Sequence, residues 1–133
     1  MTFEEFVGQV QHRARLGSEG EAVRAICATL ETLGERLFNG EADHLAAQLP
    51  SGINAYLRLA KQKESFPLDE FFRRVAEREG AGVDLPEAVF HARVVMEVVQ
   101  EAVSPGQIDD VRAQLPAEYD PLFEAGSTGE MVR

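Results

Sequence analysis

Ala47-Gln48-Leu49-Pro50 recurs letter for letter as Ala113-Gln114-Leu115-Pro116, 66 residues later and again at the end of a run with helical spacing. Working outward from these anchors, Glu21–Leu57 aligns with Glu87–Phe123 without a gap. Eleven of the 37 pairs are identical, against roughly two expected from average composition. Glu21/Glu87, Ala22/Ala88, Val23/Val89, Glu31/Glu97, Glu35/Glu101, Gly40/Gly106 and Asp43/Asp109 join the tetrapeptide as identities. Upstream, Leu68-Asp69-Glu70-Phe71 echoes Phe3-Glu4-Glu5-Phe6 at an offset of 65. The chain reads as an internal duplication.

Each copy carries helical periodicity. Phe3, Phe6, Val7 and Val10 form an i, i+3, i+4, i+7 stripe behind a Thr2/Glu5 capping box, and Leu16-Gly17-Ser18 ends that helix at a glycine. Ser18 and Glu21 make a second box. The helix they open lines up Ala22, Val23, Ile26, Cys27, Leu30, Leu33, Gly34 and Leu37 on an arc wide enough to meet several neighbours, until Phe38-Asn39-Gly40 breaks it. A short helix with Ala42, Leu45, Ala46 and Leu49 inward stops at Pro50. A fourth uses Ile53, Tyr56, Leu57 and Leu59 or Ala60 and runs into Lys61-Gln62-Lys63-Glu64-Ser65, the best linker between halves.

The pattern then restarts with Leu68, Phe71, Phe72 and Val75. Asp84/Glu87 with Pro86, and Ser104, Pro105 and Gln107, provide the second copy's helix starts, and Asp120-Pro121-Leu122-Phe123 opens or ends its last turn. The fold class expected is all-α: a duplicated helical bundle of about eight helices. One domain, residues 1–133, holds repeats at about 3–60 and 68–123 that share a core, with 125–133 a flexible tail. A half of ~60 residues is too small to cover its own broad apolar faces.

Composition narrows the function classes. Thirteen Lys and Arg against 23 Asp and Glu leave a net charge of −10, which repels phosphate backbones and anionic lipid. Neither nucleic acid nor a membrane is expected as a partner. No apolar run approaches the ~20 residues of a membrane helix, and the acidic opening Met1-Thr2-Phe3-Glu4-Glu5 lacks the features of a secretion signal, so a cytoplasmic location is expected. Cys27 is the only cysteine and sits on an apolar face as a packing thiol. Arg58, Lys61, Lys63, Arg73, Arg74 and Arg78 form the one basic cluster, diluted by Asp69, Glu70 and Glu77. It reads as a salt-bridged surface and not as a DNA-recognition helix.

The most suggestive polar residues are Glu31/Glu35 and their echo Glu97/Glu101, each spaced i, i+4 on a central helix. Four carboxylates on facing helices could hold two metal ions in a bundle, but the Glu-x-x-His element of such sites is missing. The helical wheel puts these carboxylates on the solvated side, where they are a possible interaction surface. His12, His44 and His91 occupy no equivalent positions in the two copies and have no positioned partner readable in the sequence, so exposed or capping roles are expected. Gln48 and Gln114 are expected to satisfy carbonyls freed where Pro50 and Pro116 end their helices. No phosphate loop or nucleophile triad is present, and no catalytic residue, cofactor or metal ligand is assigned.

Several segments carry a family resemblance. Glu4-Glu5-Phe6, Glu31-Thr32-Leu33-Gly34-Glu35-Arg36-Leu37, the stretch from Gly40 to Pro50, Leu68-Asp69-Glu70-Phe71-Phe72-Arg73-Arg74-Val75 and the stretch from Val111 to Phe123 are similar to the bacterial DUF2267 family. The resemblance runs from about Phe3 to Phe123. It implies an all-helical, duplicated, cytoplasmic bacterial protein, and it brings no activity and no catalytic residue with it. The leading expectation is a non-enzymatic protein–protein interaction module, self-associating or holding another protein on its acidic surface. The alternative is a small-ligand or metal-binding protein using a pocket between the halves.

Overall fold

The stripe of Phe3, Phe6, Val7 and Val10 forms α1 (Phe3–Arg13), opened as predicted by a reciprocal cap. The Glu5 N–H donates to Thr2 Oγ1 at 3.1 Å and the Thr2 N–H donates to Glu5 Oε1 at 2.8 Å. The exit differs from the sequence reading. Arg15, and not Gly17, takes the left-handed conformation (φ 57°), because the chain must turn directly after the buried Ala14 to bring Ser18 to the next helix.

Ser18 caps α2 (Glu19–Arg36) by accepting from the Glu21 N–H, while the Glu21 carboxylate reaches past it to the Gly17 N–H at 2.8 Å. Next come α3 (Glu41–Gln48), α4 (Asn54–Leu57), α5 (Leu68–Glu79), α6 (Leu85–Ala102), α7 (Pro105–Ala113) and a closing 3₁₀ helix (Ala117–Phe123). The computed structural model describes residues 1–124, so the tail expected at 125–133 lies outside the described residues. The described residues form eight helices and no strand, an all-helical fold. None of these helices is long and apolar enough to cross a membrane.

The expected fourth helix is shortened to a single turn. α4 lies so close to α2 that a Cβ on Gly34 would run into the Leu57 carbonyl oxygen, and beyond Leu57 the chain turns to run along α2. There the Glu64 N–H donates to the Glu35 carbonyl at 2.8 Å, and Lys63 Nζ caps the Gly34 carbonyl at 2.7 Å. The expected linker is thus tied to α2. Phe66 follows it into the core, where Arg36 Nε and the Tyr119 hydroxyl both donate to its carbonyl, and the Arg74 guanidinium lies 4.0 Å from its ring centroid.

One apolar cluster runs from Phe6 to Phe123. α2 and α6 sit at its centre and touch each other; α1 packs on both of them, and so does α5. The broad apolar arc read from α2 is therefore filled by neighbours from both ends of the chain. α3 and α7 pack together at one end of the molecule.

Candidate functional site

The residues singled out in the sequence lie on contacts between the halves. Arg78, the penultimate residue of α5, donates from Nη1 and Nη2 to Glu35 at 2.8 and 2.7 Å, and its Nε lies 3.7 Å from Glu31. Arg13, the last residue of α1, binds Glu101 through both Nη atoms at 2.7 Å and Glu97 at 2.8 Å. Each i, i+4 carboxylate pair is thus held by an arginine from the other half. The fork of bonds holds the carboxyls of Glu35 and Glu101 below the usual range. Glu35 and Glu97 are half-buried, where the wheel placed them in solvent, because α5 and α1 lie across that side of the central helices.

The glutamines depart from their expected local role. Gln48 Oε1, at the end of α3, accepts from the Ser104 N–H at 2.8 Å, where α7 begins. Gln114, capping α7, accepts from the Phe38 N–H at 2.9 Å and donates to the Phe38 carbonyl at 3.0 Å, just before α3. Ser104 stands 66 residues after Phe38, as Gln114 does after Gln48. The two bonds are each other's counterpart and lay α3 and α7 head to tail. Between them, Gln107 Nε2 donates to the buried carboxylate of Glu41, again a pair 66 residues apart. The basic cluster is ion-paired as expected: Arg73 with Asp69 and Glu70, Arg74 with Glu70, Glu64 and Glu35, and Arg58 with Asp43.

At the opposite end, one feature breaks the correspondence between halves. His12 and His44 are exposed, as expected, but His91 is only 5% exposed and has a positioned carboxylate. Its Nδ1 lies 2.8 and 3.1 Å from the two oxygens of Glu79, itself 5% exposed. The α5–loop–α6 hairpin brings the pair together. Glu79 ends α5, Gly80 (φ 58°), Ala81 (φ 53°) and Gly82 (φ 79°) turn the chain, and Asp84 and Glu87 cap α6 reciprocally so that its second turn returns beside α5. Sixty-five residues before Glu79 stands Ala14, and 66 before His91 stands Ala25, both buried. Two small apolar side chains in one half are replaced in the other by an imidazole and a carboxylate that bond to each other.

Glu79 and His91 line a cavity of about 150 Å³. Its apolar wall is Leu16 and Val83; it is also lined by Glu21 and Glu87, from the first turns of α2 and α6, and by Arg24 in the second turn of α2. The Glu79 carboxylate, within hydrogen-bond reach of Nδ1, fixes the orientation of the imidazole. Nε2 makes no hydrogen bond among the described residues, and in the neutral imidazole, with Nδ1–H on Glu79, it carries the lone pair and can act as acceptor, base or ligand. Periodicity could not show this, because His91 and Glu79 meet across a turn. The signal available was the comparison along the chain: at offsets of 65 and 66 the two alanines Ala14 and Ala25 stand against the two ionisable residues Glu79 and His91.

Two other groups complete the description. Cys27 is half-buried, and its thiol is pushed up by burial and by Glu31. No group of three or more His, Cys, Asp and Glu among the described residues is arranged to hold a metal ion.

A family model described as "Uncharacterized conserved protein (DUF2267)" matches residues 3–122. No curated protein matches the chain.

Proposed function

The chain belongs to the DUF2267 family, whose description names no activity, and from that premise we propose that it binds a small polar molecule in the cavity between α1–α2 and α5–α6. The observation that carries the reading is the buried Glu79–His91 pair beneath a polar opening, where the other half has Ala14 and Ala25. A buried ionisable pair costs stability relative to apolar packing of the same space. A pair confined to one of two otherwise matched corners, with one imidazole nitrogen uncommitted, fits a binding role better than a structural one. Leu16→Trp plugs the cavity and supplies the control. A broad panel of polar metabolites, followed by thermal shift and by ¹H–¹⁵N spectra of the His91 ring, should yield a ligand for the native chain and none for the plugged variant. A panel in which no compound separates the two proteins would remove the proposal.

The interaction-module reading keeps one support, the net charge of −10. The wide apolar faces that suggested it are occupied by the shared core. Light scattering together with capture from native lysate tests it: a strictly monomeric protein that retains no specific partner would sink it. Duplication is part of the same proposal. Its supports are the reciprocal Gln48–Ser104 and Gln114–Phe38 bonds and the paired Arg78–Glu35 and Arg13–Glu101 forks. A bacterial, cytoplasmic setting likewise rests on the family resemblance.

A further inference from the structure

We infer that the occupant of this cavity is a small primary ammonium compound, held by Nε2 of His91 and by the carboxylates of Glu21 and Glu87. The inference rests on reading the cavity as a binding site and adds the chemistry of what enters it. Among the polar groups lining the cavity, acceptors outnumber donors. Glu79 engages Nδ1 of His91, so the neutral imidazole presents its lone pair on Nε2. Glu21 uses Oε2 on the Gly17 N–H and Glu87 uses Oε1 on the Asp84 N–H, so each keeps an oxygen for a ligand. The helix N-termini nearby would otherwise attract an anion, but side-chain caps already engage their leading N–H groups: Glu21 N–H on Ser18 Oγ and Glu87 N–H on Asp84 Oδ1.

Charge points the same way. Three carboxylates line the cavity against one guanidinium, that of Arg24, which is exposed. An ammonium group brings three N–H donors and a positive charge, matching Nε2 and two carboxylate oxygens. A carboxylate ligand would meet three like charges and find only Arg24. Size limits the remainder of the molecule. About 150 Å³ is the volume of a cavity that accommodates benzene, room for the ammonium group and a few carbon atoms. Leu16 and Val83 provide an apolar wall for those carbons.

The test compares three probes of similar size, ethylammonium, ethanol and acetate, titrated against the native chain while the His91 ring resonances are followed. Ethylammonium should shift them saturably and bind at least about ten-fold more tightly than ethanol, a difference of ~1.4 kcal/mol; acetate should leave them unmoved. Glu21→Gln with Glu87→Gln keeps the caps, since Gln serves at that position, and should weaken ethylammonium by about ten-fold. Equal binding of ethanol, tighter binding of acetate, or an unchanged affinity in the Gln variant would each overturn the ammonium assignment. If none of the three binds while another compound from the broad panel does, the assignment falls and the cavity reading stands. If nothing binds, both fall.

Discussion

Arg78 holds Glu35 by two nearly equal bonds, 2.8 and 2.7 Å, and in doing so fastens the end of α5 to the last turn of α2. Both side chains are largely buried, and Arg78 also donates to Thr32 Oγ1 at 2.7 Å. Removing the guanidinium leaves a half-buried carboxylate with the single longer bond from Arg74, 3.2 Å, and takes a donor from the Thr32 hydroxyl. Arg78→Met should therefore cost about 1–3 kcal/mol. Arg13→Met should cost less, because Glu101 is 48% exposed and water can replace the lost partner. Urea unfolding of both variants checks the order, and equal losses would contradict it.

Gly34 sits where α4 meets α2. Helix propensity alone favours alanine there by ~1 kcal/mol, but the new methyl would strike the Leu57 carbonyl, which is backbone and cannot rotate away. Overpacking of this kind costs about 1–3 kcal/mol or more. Gly34→Ala should be a net loss of about 1–2 kcal/mol, read as a lower urea midpoint. A stabilised variant would mean that α4 shifts freely.

Arg15 and Gly80 end their helices with nearly the same φ, 57° and 58°, at positions 65 residues apart. A side chain in the left-handed region costs ~1–2 kcal/mol, and glycine's greater freedom in the unfolded chain gives back about half of that. Arg15→Gly should thus stabilise by roughly 0.5–1 kcal/mol with an unchanged denaturant slope. A lower midpoint would show that the Arg15 side chain makes a contact worth more than the strain.

Stability should fall at both ends of the pH scale, for separate reasons. The arginine forks depress Glu35 and Glu101, so the folded chain gives up protons more readily than the unfolded one. Their contribution is fully present above the ordinary carboxylate value near 4.5 and is lost as pH drops through the depressed folded values. Burial pushes Tyr119 up to about 12 from 10.0, so the unfolded chain ionises first and stability declines between those two values, by about 2 kcal/mol. Thermal melts from pH 2 to 12 test both limbs. In Tyr119→Phe the alkaline loss should shrink while the acid loss remains.

How far the sequence carries depends on the range of the interaction. The Thr2/Glu5 and Asp84/Glu87 caps close within three residues and were readable as letters. Pro50 stopped α3 for a reason internal to the chain. The left-handed exit moved from Gly17 to Arg15 because Ala14 is buried against other helices, and propensity carries no record of that. Gln48 and Gln114 sit at helix ends where a local cap is the natural expectation, and both instead bond to backbone in the other half. An exposed or capping role is the expectation for His91 because its partner, Glu79, lies on another helix and no spacing along the chain announces it.

The two ends of the molecule stand under different constraints. Where α3 meets α7, the two halves hold each other by matching bonds, Gln48 to the Ser104 backbone and Gln114 to that of Phe38. At the α1–α2 and α5–α6 corners nothing enforces such agreement. Two identical chains associating would have carried the same residues at both corners, so that a buried imidazole and carboxylate, with their cost, came in duplicate or not at all. One continuous chain can pack Ala14 and Ala25 at one corner and carry the buried Glu79–His91 pair at the other alone.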